Sequence, residues 1–192
     1  MGAGMPKPIR ILAFAASARK ESLNRKFLAV AVEKARAAGC EVTVADLNDY
    51  VLPLYHGDLE DREGLPPNAA RLITLITSHD GLLVASPEYN SMITPLLKNT
   101  IDWCSRTDDN PFEGKVAAVI SASPGPLGAV RSLVMAQLLL MKLGCIVVPG
   151  QCYLPHAPKA FDAGGKLLDE RSAKSVEALV AKLFQIASKV VG

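Results

Sequence analysis

Two serines, an asparagine and an arginine fall within Ser17-Ala18-Arg19-Lys20-Glu21-Ser22-Leu23-Asn24, directly after the apolar run Ile11 to Ala16. An apolar strand that meets small and hydroxyl residues just before a helix makes an anion site, because the first-turn N–H groups have no helical acceptor of their own. Ser17, Ser22 and Asn24 add neutral hydrogen bonds. Arg19 adds a charge in a forked geometry that suits phosphate. The chemistry expected here is binding of a phosphorylated ligand. The plainer alternative leaves Ser22 as an N-cap and Arg19 and Lys20 as solvated charges.

Two further runs could share that ligand. Pro87-Glu88-Tyr89-Asn90 follows the apolar Gly81 to Ser86. Ser121-Ala122-Ser123-Pro124-Gly125-Pro126-Leu127-Gly128, rich in small residues, follows Val116 to Ser121. Tyr89 brings an aromatic face and Asn90 an amide, in a turn set by Pro87. A planar polar ring needs this mixture: backbone N–H and C=O groups for its edge and apolar area for its face. The three runs together suggest a mononucleotide with a large ring. FMN fits better than NAD, since there is one phosphate cradle and no G-x-G-x-x-G. No G-x-x-x-x-G-K-[ST] is present to cradle ATP.

These runs need elements to carry them, and apolar runs alternate with helical patterns along the chain. That alternation predicts α/β architecture around a parallel sheet. Strands are expected at about Ile9 to Ala15, Glu41 to Asp46, Gly81 to Ser86, Val116 to Ser121 and Ile146 to Val148. The first helix starts near Ser22, with Leu23, Phe27, Val30, Ala31 and Ala35 at helical spacing, and Gly39 stops it. Further helices are expected at Pro67 to Ser78, Pro95 to Ser105, Ala129 to Leu143 and Ser172 to Val190. Leu47 to Pro66 reads as a long irregular segment, and Phe161 to Leu167 as a glycine turn. Asp46 lies where a dinucleotide fold puts its ribose acid, but the missing glycine fingerprint argues against that role. In a doubly wound sheet of order 2-1-3-4-5, a ligand sits outside the carboxyl ends of strands one and three. The phosphate run and the Tyr89 run both land there.

The fourth helix is almost entirely apolar: Val130, Leu133, Val134, Met135, Leu138, Leu139, Leu140 and Met141. Such a helix must be covered on both sides. A homodimer or homotetramer built partly on it is therefore expected, over the alternative of a helix buried within one subunit.

A chain of 192 residues with 49% hydrophobic content forms one domain with a sizeable core. We place that domain at residues 9–192, behind a disordered extension at 1–8. A net charge of +2 and the lack of a long basic run argue against a nucleic-acid binder. No run approaches the roughly 20 apolar residues of a membrane span, and the N-terminus does not read as a signal peptide. Cys40, Cys104, Cys145 and Cys152 lack zinc or redox spacing and read as buried small hydrophobes in a reducing cytoplasm. His56, His79 and His156 are scattered and read as loop or surface residues. No metal site is expected.

With these residues in view, a resemblance emerges. Ser17-x-Arg19-x-x-Ser22-Leu23-Asn24 resembles the GSxRxxSxN phosphate motif of the NADPH-dependent FMN reductase family, which includes flavodoxin-like quinone, chromate and azo-dye reductases. Pro87-Glu88-Tyr89-Asn90 with Pro95, Leu97-Lys98-Asn99 and Asp102-Trp103 resembles its second signature. Ser121-x-Ser123-x-Gly125-x-x-Gly128 is similar to its third. The similarity spans nearly the whole chain in the right order. Ala16, Leu96 and Ala129 depart from it, each standing where the family commonly has glycine.

The resemblance implies a flavodoxin-like five-stranded sheet with helices on both faces. It implies that Ser17, Arg19, Ser22, the Leu23 backbone and Asn24 hold the FMN phosphate. Pro87, Glu88, Tyr89 and Asn90 would lie along the ring edge, with Ser123 and Gly125 opposite. It further implies an NAD(P)H oxidoreductase in which nicotinamide gives a hydride to FMN. A quinone, flavin, azo or metal-oxyanion acceptor then takes it in the same place, a ping-pong scheme. The hydride chemistry belongs to the flavin, so no acid–base residue is assigned and Glu88 is expected to act as a turn residue. NADPH and NADH are both open as co-substrate, with Arg19, Arg106 and Arg131 as conceivable partners for the extra phosphate. The competing reading is a flavodoxin-like electron carrier that binds FMN without oxidising nicotinamide. Near-neutral charge and the oily fourth helix weigh against it.

Overall fold

A computed structural model of the chain describes residues 8–191. The expected N-terminal extension at residues 1–8 lies outside the described residues except for Pro8. The elements run β1 (Arg10–Ala15), α1 (Leu23–Ala37), β2 (Glu41–Ala45), α2 (Gly57–Glu63), α3 (Pro67–Ser78), β3 (Gly81–Ala85), α4 (Pro95–Cys104), β4 (Val116–Ala122), α5 (Val130–Lys142), β5 (Ile146–Val147), β6 (Cys152–Leu154) and α6 (Glu170–Val191). Every named strand pairing is parallel, in the order β2-β1-β3-β4-β5, and β6 also pairs with β4.

The fifth position in the sheet is one strand in two pieces. β5 pairs with Val116 and Ala117 at the start of β4, and β6 pairs with Ile120 to Ala122 at its end. Pro149 and Gly150 separate the pieces; proline lacks the donor a ladder needs, and Gly150 takes φ 119°. The first piece falls within the strand expected at Ile146 to Val148; the second, Cys152–Leu154, lies outside every expected strand.

β1, β3 and β4 are buried on both faces, which explains their unbroken apolar runs. Side chains alternate across the sheet. Ile11, Ala13 and Ala15 join a core with Phe27, Leu28 and Val32 of α1 and Val176, Val180 and Leu183 of α6. Leu12, Phe14 and Ala16 join the opposite core with Leu72 of α3, Leu97 and Ile101 of α4, and Leu133 and Leu140 of α5. Full burial of a side chain such as Phe27 or Leu12 contributes about 1.5–3 kcal/mol, so helices on both faces are tied to the sheet. Gly81 has no room for more: an added Cβ would come 2.6 Å from the Val116 carbonyl oxygen.

Three expectations need correction. The segment Leu47 to Pro66 is not irregular throughout: it contains a 3₁₀ turn at Leu47–Asp49 and the helix α2. α2 buries none of its residues, so it leaves no apolar periodicity to read. His79 lies in a loop, just past the end of α3, but it is not at the surface. It is buried, with its ring between the Leu75 carbonyl (2.6 Å) and the Thr43 hydroxyl (2.8 Å). The last helix begins at Glu170, two residues before the expected Ser172, with the Asp169 carboxylate accepting from the Ser172 N–H at 2.7 Å.

The four cysteines are free and buried, as expected. No described helix is long and apolar enough to cross a membrane.

Candidate functional site

The loops after β1, β3 and β4 meet at the carboxyl edge of the sheet. Between them lies a cleft of ≈ 250 Å³ bordered by the phosphate run Ser17–Asn24 on one side, Pro87, Glu88 and Tyr89 on the second, and Ala122, Ser123 and Pro124 on the third. Nine of the eleven expected site residues line it: Ser17, Arg19, Ser22, Leu23, Asn24, Pro87, Glu88, Tyr89 and Ser123. Asn90 and Gly125 lie beside it without lining it.

The phosphate run owes its shape to contacts from outside. Ser22 caps α1, its hydroxyl accepting from the Arg25 N–H at 3.4 Å. Leu23 and Asn24 are the first two helical residues, so their N–H groups have no intrahelical acceptor and are available to a ligand. Arg25 donates through Nε to the Ser17 carbonyl (3.2 Å) and forms a two-pronged ion pair with Asp46 just past β2. Asp46 also accepts from the Asn48 N–H, and the Asn48 amide donates to the Ala18 carbonyl (3.2 Å). Carbonyls of the run are thus held from the β2 side. Burial acts to raise the Asp46 carboxyl, but hydrogen bonds from Arg25 and Asn48 and the Arg25 charge outweigh it and hold it below the ordinary aspartate value. Asp46 therefore has a brace role, where the sequence offered only a rejected ribose acid. Arg19 is exposed and has no carboxylate partner among the described residues.

Asn24 does two jobs. Its side chain is buried, donating to the Ala122 carbonyl (2.8 Å) and accepting from the Ala122 N–H (2.9 Å). One amide N–H remains for a ligand. The residue also locks the first loop to the third.

The second loop has its own brace. Glu88 is 11% exposed at its side chain and accepts from Arg131 Nε (2.9 Å) and Nη2 (2.6 Å) and from the Ser132 N–H (3.2 Å). α5 starts on Ala129 in a left-handed conformation (φ 65°) with no side-chain cap of its own. Glu88 supplies that cap from another loop, and its charge suits the positive end of the helix. The Ser132 hydroxyl completes the joint by donating to the Pro87 carbonyl (2.7 Å). Burial acts to raise the Glu88 carboxyl, but the hydrogen bonds from Arg131 and Ser132 and the Arg131 charge outweigh it and hold it below the ordinary glutamate value. A carboxylate held in its charged form by three donors is a poor proton acceptor at neutral pH, which agrees with its expected turn role.

Tyr89 and Met92 exchange both backbone hydrogen bonds (3.1 and 3.0 Å) around Asn90 (φ 51°) and Ser91 (φ 67°). Two successive left-handed residues inside such a pair make a type I′ turn, where asparagine is favoured. The Asn90 amide therefore has a backbone reason to be there. Thr94 caps α4, accepting from the Leu97 N–H, and its hydroxyl donates to the Ala16 carbonyl (2.9 Å), tying the second loop to the end of β1.

The rest of the second signature works away from the cleft. Asn99 and Trp103 donate to the Pro53 carbonyl (2.9 and 2.8 Å), and Asn99 accepts from the Tyr55 N–H. They pin the long segment after β2 along α4. Arg106 follows the ten-residue α4, about 15 Å of helix away from the strand ends, and contacts Tyr55 instead.

Of the glycine departures, Ala16 is fully buried without a positive φ, so its Cβ is accommodated. Ala129 does take the left-handed conformation that glycine would take more easily. Leu96 is half-buried against the α3–α5 core.

A larger cavity of ≈ 380 Å³ lies on the far side of Arg25 and Asp46, over Leu28, Ala29, Val32 and Val44. Arg25 and Asp46 at one end are spent on the brace, and Glu33 and Arg36 at the other lie along α1 away from the three strand-end loops. The polar groups that would fix a phosphorylated ligand converge in the smaller cleft.

The sequence model of the family described as NADPH-dependent FMN reductase matches residues 9–159. A NAD(P)H-dependent FMN reductase of Pseudomonas aeruginosa is 34% identical over 175 residues, covering 90% of this chain and 92% of that protein. A quinone reductase of Escherichia coli strain K12 is 32% identical over 148 residues, covering 75% of this chain and 76% of that protein. Among solved structures, a flavoenzyme NAD(P)H:(acceptor) oxidoreductase from Paracoccus denitrificans superposes with a TM-score of 0.81 at 31% identity, covering 94% of this chain and 98% of that one.

Proposed function

The chain belongs to the NADPH-dependent FMN reductase family, and from that premise we propose that it is an FMN-dependent NAD(P)H oxidoreductase acting on quinone-type or flavin acceptors. The observation that carries this reading is the cleft itself: free first-turn N–H groups, two hydroxyls and an arginine with no carboxylate partner among the described residues at one end, and an aromatic turn at the other.

Ser17, Arg19, Ser22 and the N–H groups of Leu23 and Asn24 would hold the FMN phosphate. Pro87, Glu88, Tyr89 and Asn90 would border the ring on one side, with Ser123 and Gly125 on the other. FMN held there would supply the hydride chemistry, and nicotinamide and acceptor would use the same place one after the other, a ping-pong scheme. The residues bind, orient and brace. Arg25 and Asp46 keep the phosphate run in register, and Glu88 and Arg131 keep the ring-edge turn in place. None needs to move a proton.

The open side of the cleft, where Tyr89 is half-exposed, supports one shared place for nicotinamide and acceptor. Quinone, azo and metal-oxyanion acceptors are all compatible with it. A homodimer or homotetramer is supported by α5: Ser132, Leu133, Ala136 and Leu140 face the core, while Leu138 (51%) and Met141 (49%) face outward. Reduced, buried cysteines support a cytoplasmic setting.

The deciding experiment mixes FMN-loaded protein with NADPH or NADH without oxygen and follows flavin absorbance. Bleaching on a turnover timescale is expected. Protein that keeps its yellow colour would instead be the electron carrier.

A further inference from the structure

A second cavity, ≈ 280 Å³, adjoins the cleft and shares Pro124 with it; His156, Pro158 and Lys159 form the rest of its lining. Its walls are stitched to the third loop. The Ser123 N–H donates to the Leu154 carbonyl (3.1 Å), the His156 N–H to the Gly125 carbonyl (3.1 Å) and the Ala157 N–H to the Ser123 carbonyl (3.0 Å). His156 sits at φ 48°, an unfavourable backbone for a residue with a Cβ, and such residues cluster at ligand sites. Two prolines stiffen the rim. Neither His156 nor Lys159 has a carboxylate partner among the described residues.

Resting on the function proposed above, we infer that this cavity takes the phosphate-bearing adenosine tail of the nicotinamide co-substrate. A nicotinamide ring in the cleft must carry several negative charges out along the surface. The FMN phosphate would occupy the Arg19 end. Arg131 spends Nε and Nη2 on Glu88, and Arg106 is beyond α4. Outside the phosphate run, Lys159 is the cation left bordering a cavity that meets the cleft at Pro124, and the His156 ring beside it adds a hydrogen-bonding group. Being exposed contacts, each contributes modestly, Lys159 through its charge and His156 through hydrogen bonding to phosphate.

The probe is 2′,5′-ADP, which has the tail and lacks the nicotinamide. With FMN-loaded protein it should compete with NADPH and leave the flavin bound. Lys159→Gln should raise both its inhibition constant and the KM for NADPH by about three- to tenfold, with FMN affinity at the wild-type value. His156→Asn, which keeps a residue tolerant of the left-handed backbone, should act in the same direction. Unchanged constants in both variants would overturn the inference, even with flavin bleaching intact. Calorimetry of 2′,5′-ADP with the protein reads the cavity without any turnover. Binding that Lys159→Gln weakens would uphold the cavity even if bleaching fails, and no binding, or binding that Lys159→Gln leaves unchanged, would sink it separately from the reductase reading.

Discussion

Asn24 and Ala122 are joined through both ends of one amide: the Asn24 Nδ2 donates to the Ala122 carbonyl at 2.8 Å and its Oδ1 accepts from the Ala122 N–H at 2.9 Å. The partners are 98 residues apart and lie on α1 and the last residue of β4. One buried side chain thereby sets the distance between the phosphate run and the Ser123 loop.

Asn24→Ala should cost about 2–4 kcal/mol of stability. It removes two hydrogen bonds and leaves the N–H and C=O of a buried residue unpaired. Urea unfolding measures this. A loss below 1 kcal/mol would mean that water or a neighbouring group replaces the bridge.

Arg19→Ala should weaken FMN binding by about 1.5–3 kcal/mol, the loss of a charged hydrogen bond, with thermal stability unchanged, since the Arg19 side chain is exposed and has no hydrogen-bond or ion-pair partner among the described residues. Fluorescence titration with FMN checks it. Wild-type affinity would place the phosphate elsewhere.

Glu88→Gln should destabilise the fold by about 1–2 kcal/mol at neutral pH, discounted because Arg131 is half-exposed. The Glu88 carboxyl lies below its ordinary value of 4.5, so its charge stabilises the fold above that pH and stops doing so as pH falls through the lower, folded value. The gap between wild type and variant should therefore close in acid, not in base. Denaturation at a series of pH values tests the direction.

Gly128→Ala should cost more than about 2 kcal/mol. Gly128 has φ 57°, and an added Cβ would meet Tyr153 Cδ2 at 2.7 Å and the Pro155 backbone nitrogen at 2.9 Å; left-handed strain and a backbone clash would add. Calorimetric melting temperature reports it. A variant as stable as wild type would show that the loop after β6 yields easily.

The cysteines should resist thiol reagents in the native protein. Burial pushes Cys40 and Cys152 up to about 11, and Cys104 and Cys145 up to about 12, so the reactive thiolate is scarce. Rapid labelling of folded protein would contradict their burial.

The sequence by itself determined the sheet order's ingredients and the three polar runs that meet at the carboxyl edge of the sheet. Apolar runs such as Leu82–Val84 leave no choice but a strand buried on both faces, and Ser22 ahead of Phe27 and Ala31 writes a capped helix start. Both signals are local, repeating at the period of the element. α2 and β6 were illegible for the same reason in reverse: α2 buries nothing, and β6 is three residues long behind a proline and a glycine. Only the tertiary structure decided what the polar residues do. Asn24, Asp46, Glu88 and Asn99 all stand in or near motifs that suggest a ligand, yet each spends its side chain on another part of the protein. That division turns on partners 21 to 98 residues away. A hydrogen bond reaches about 3 Å, and which groups come that close is fixed only once the chain has folded.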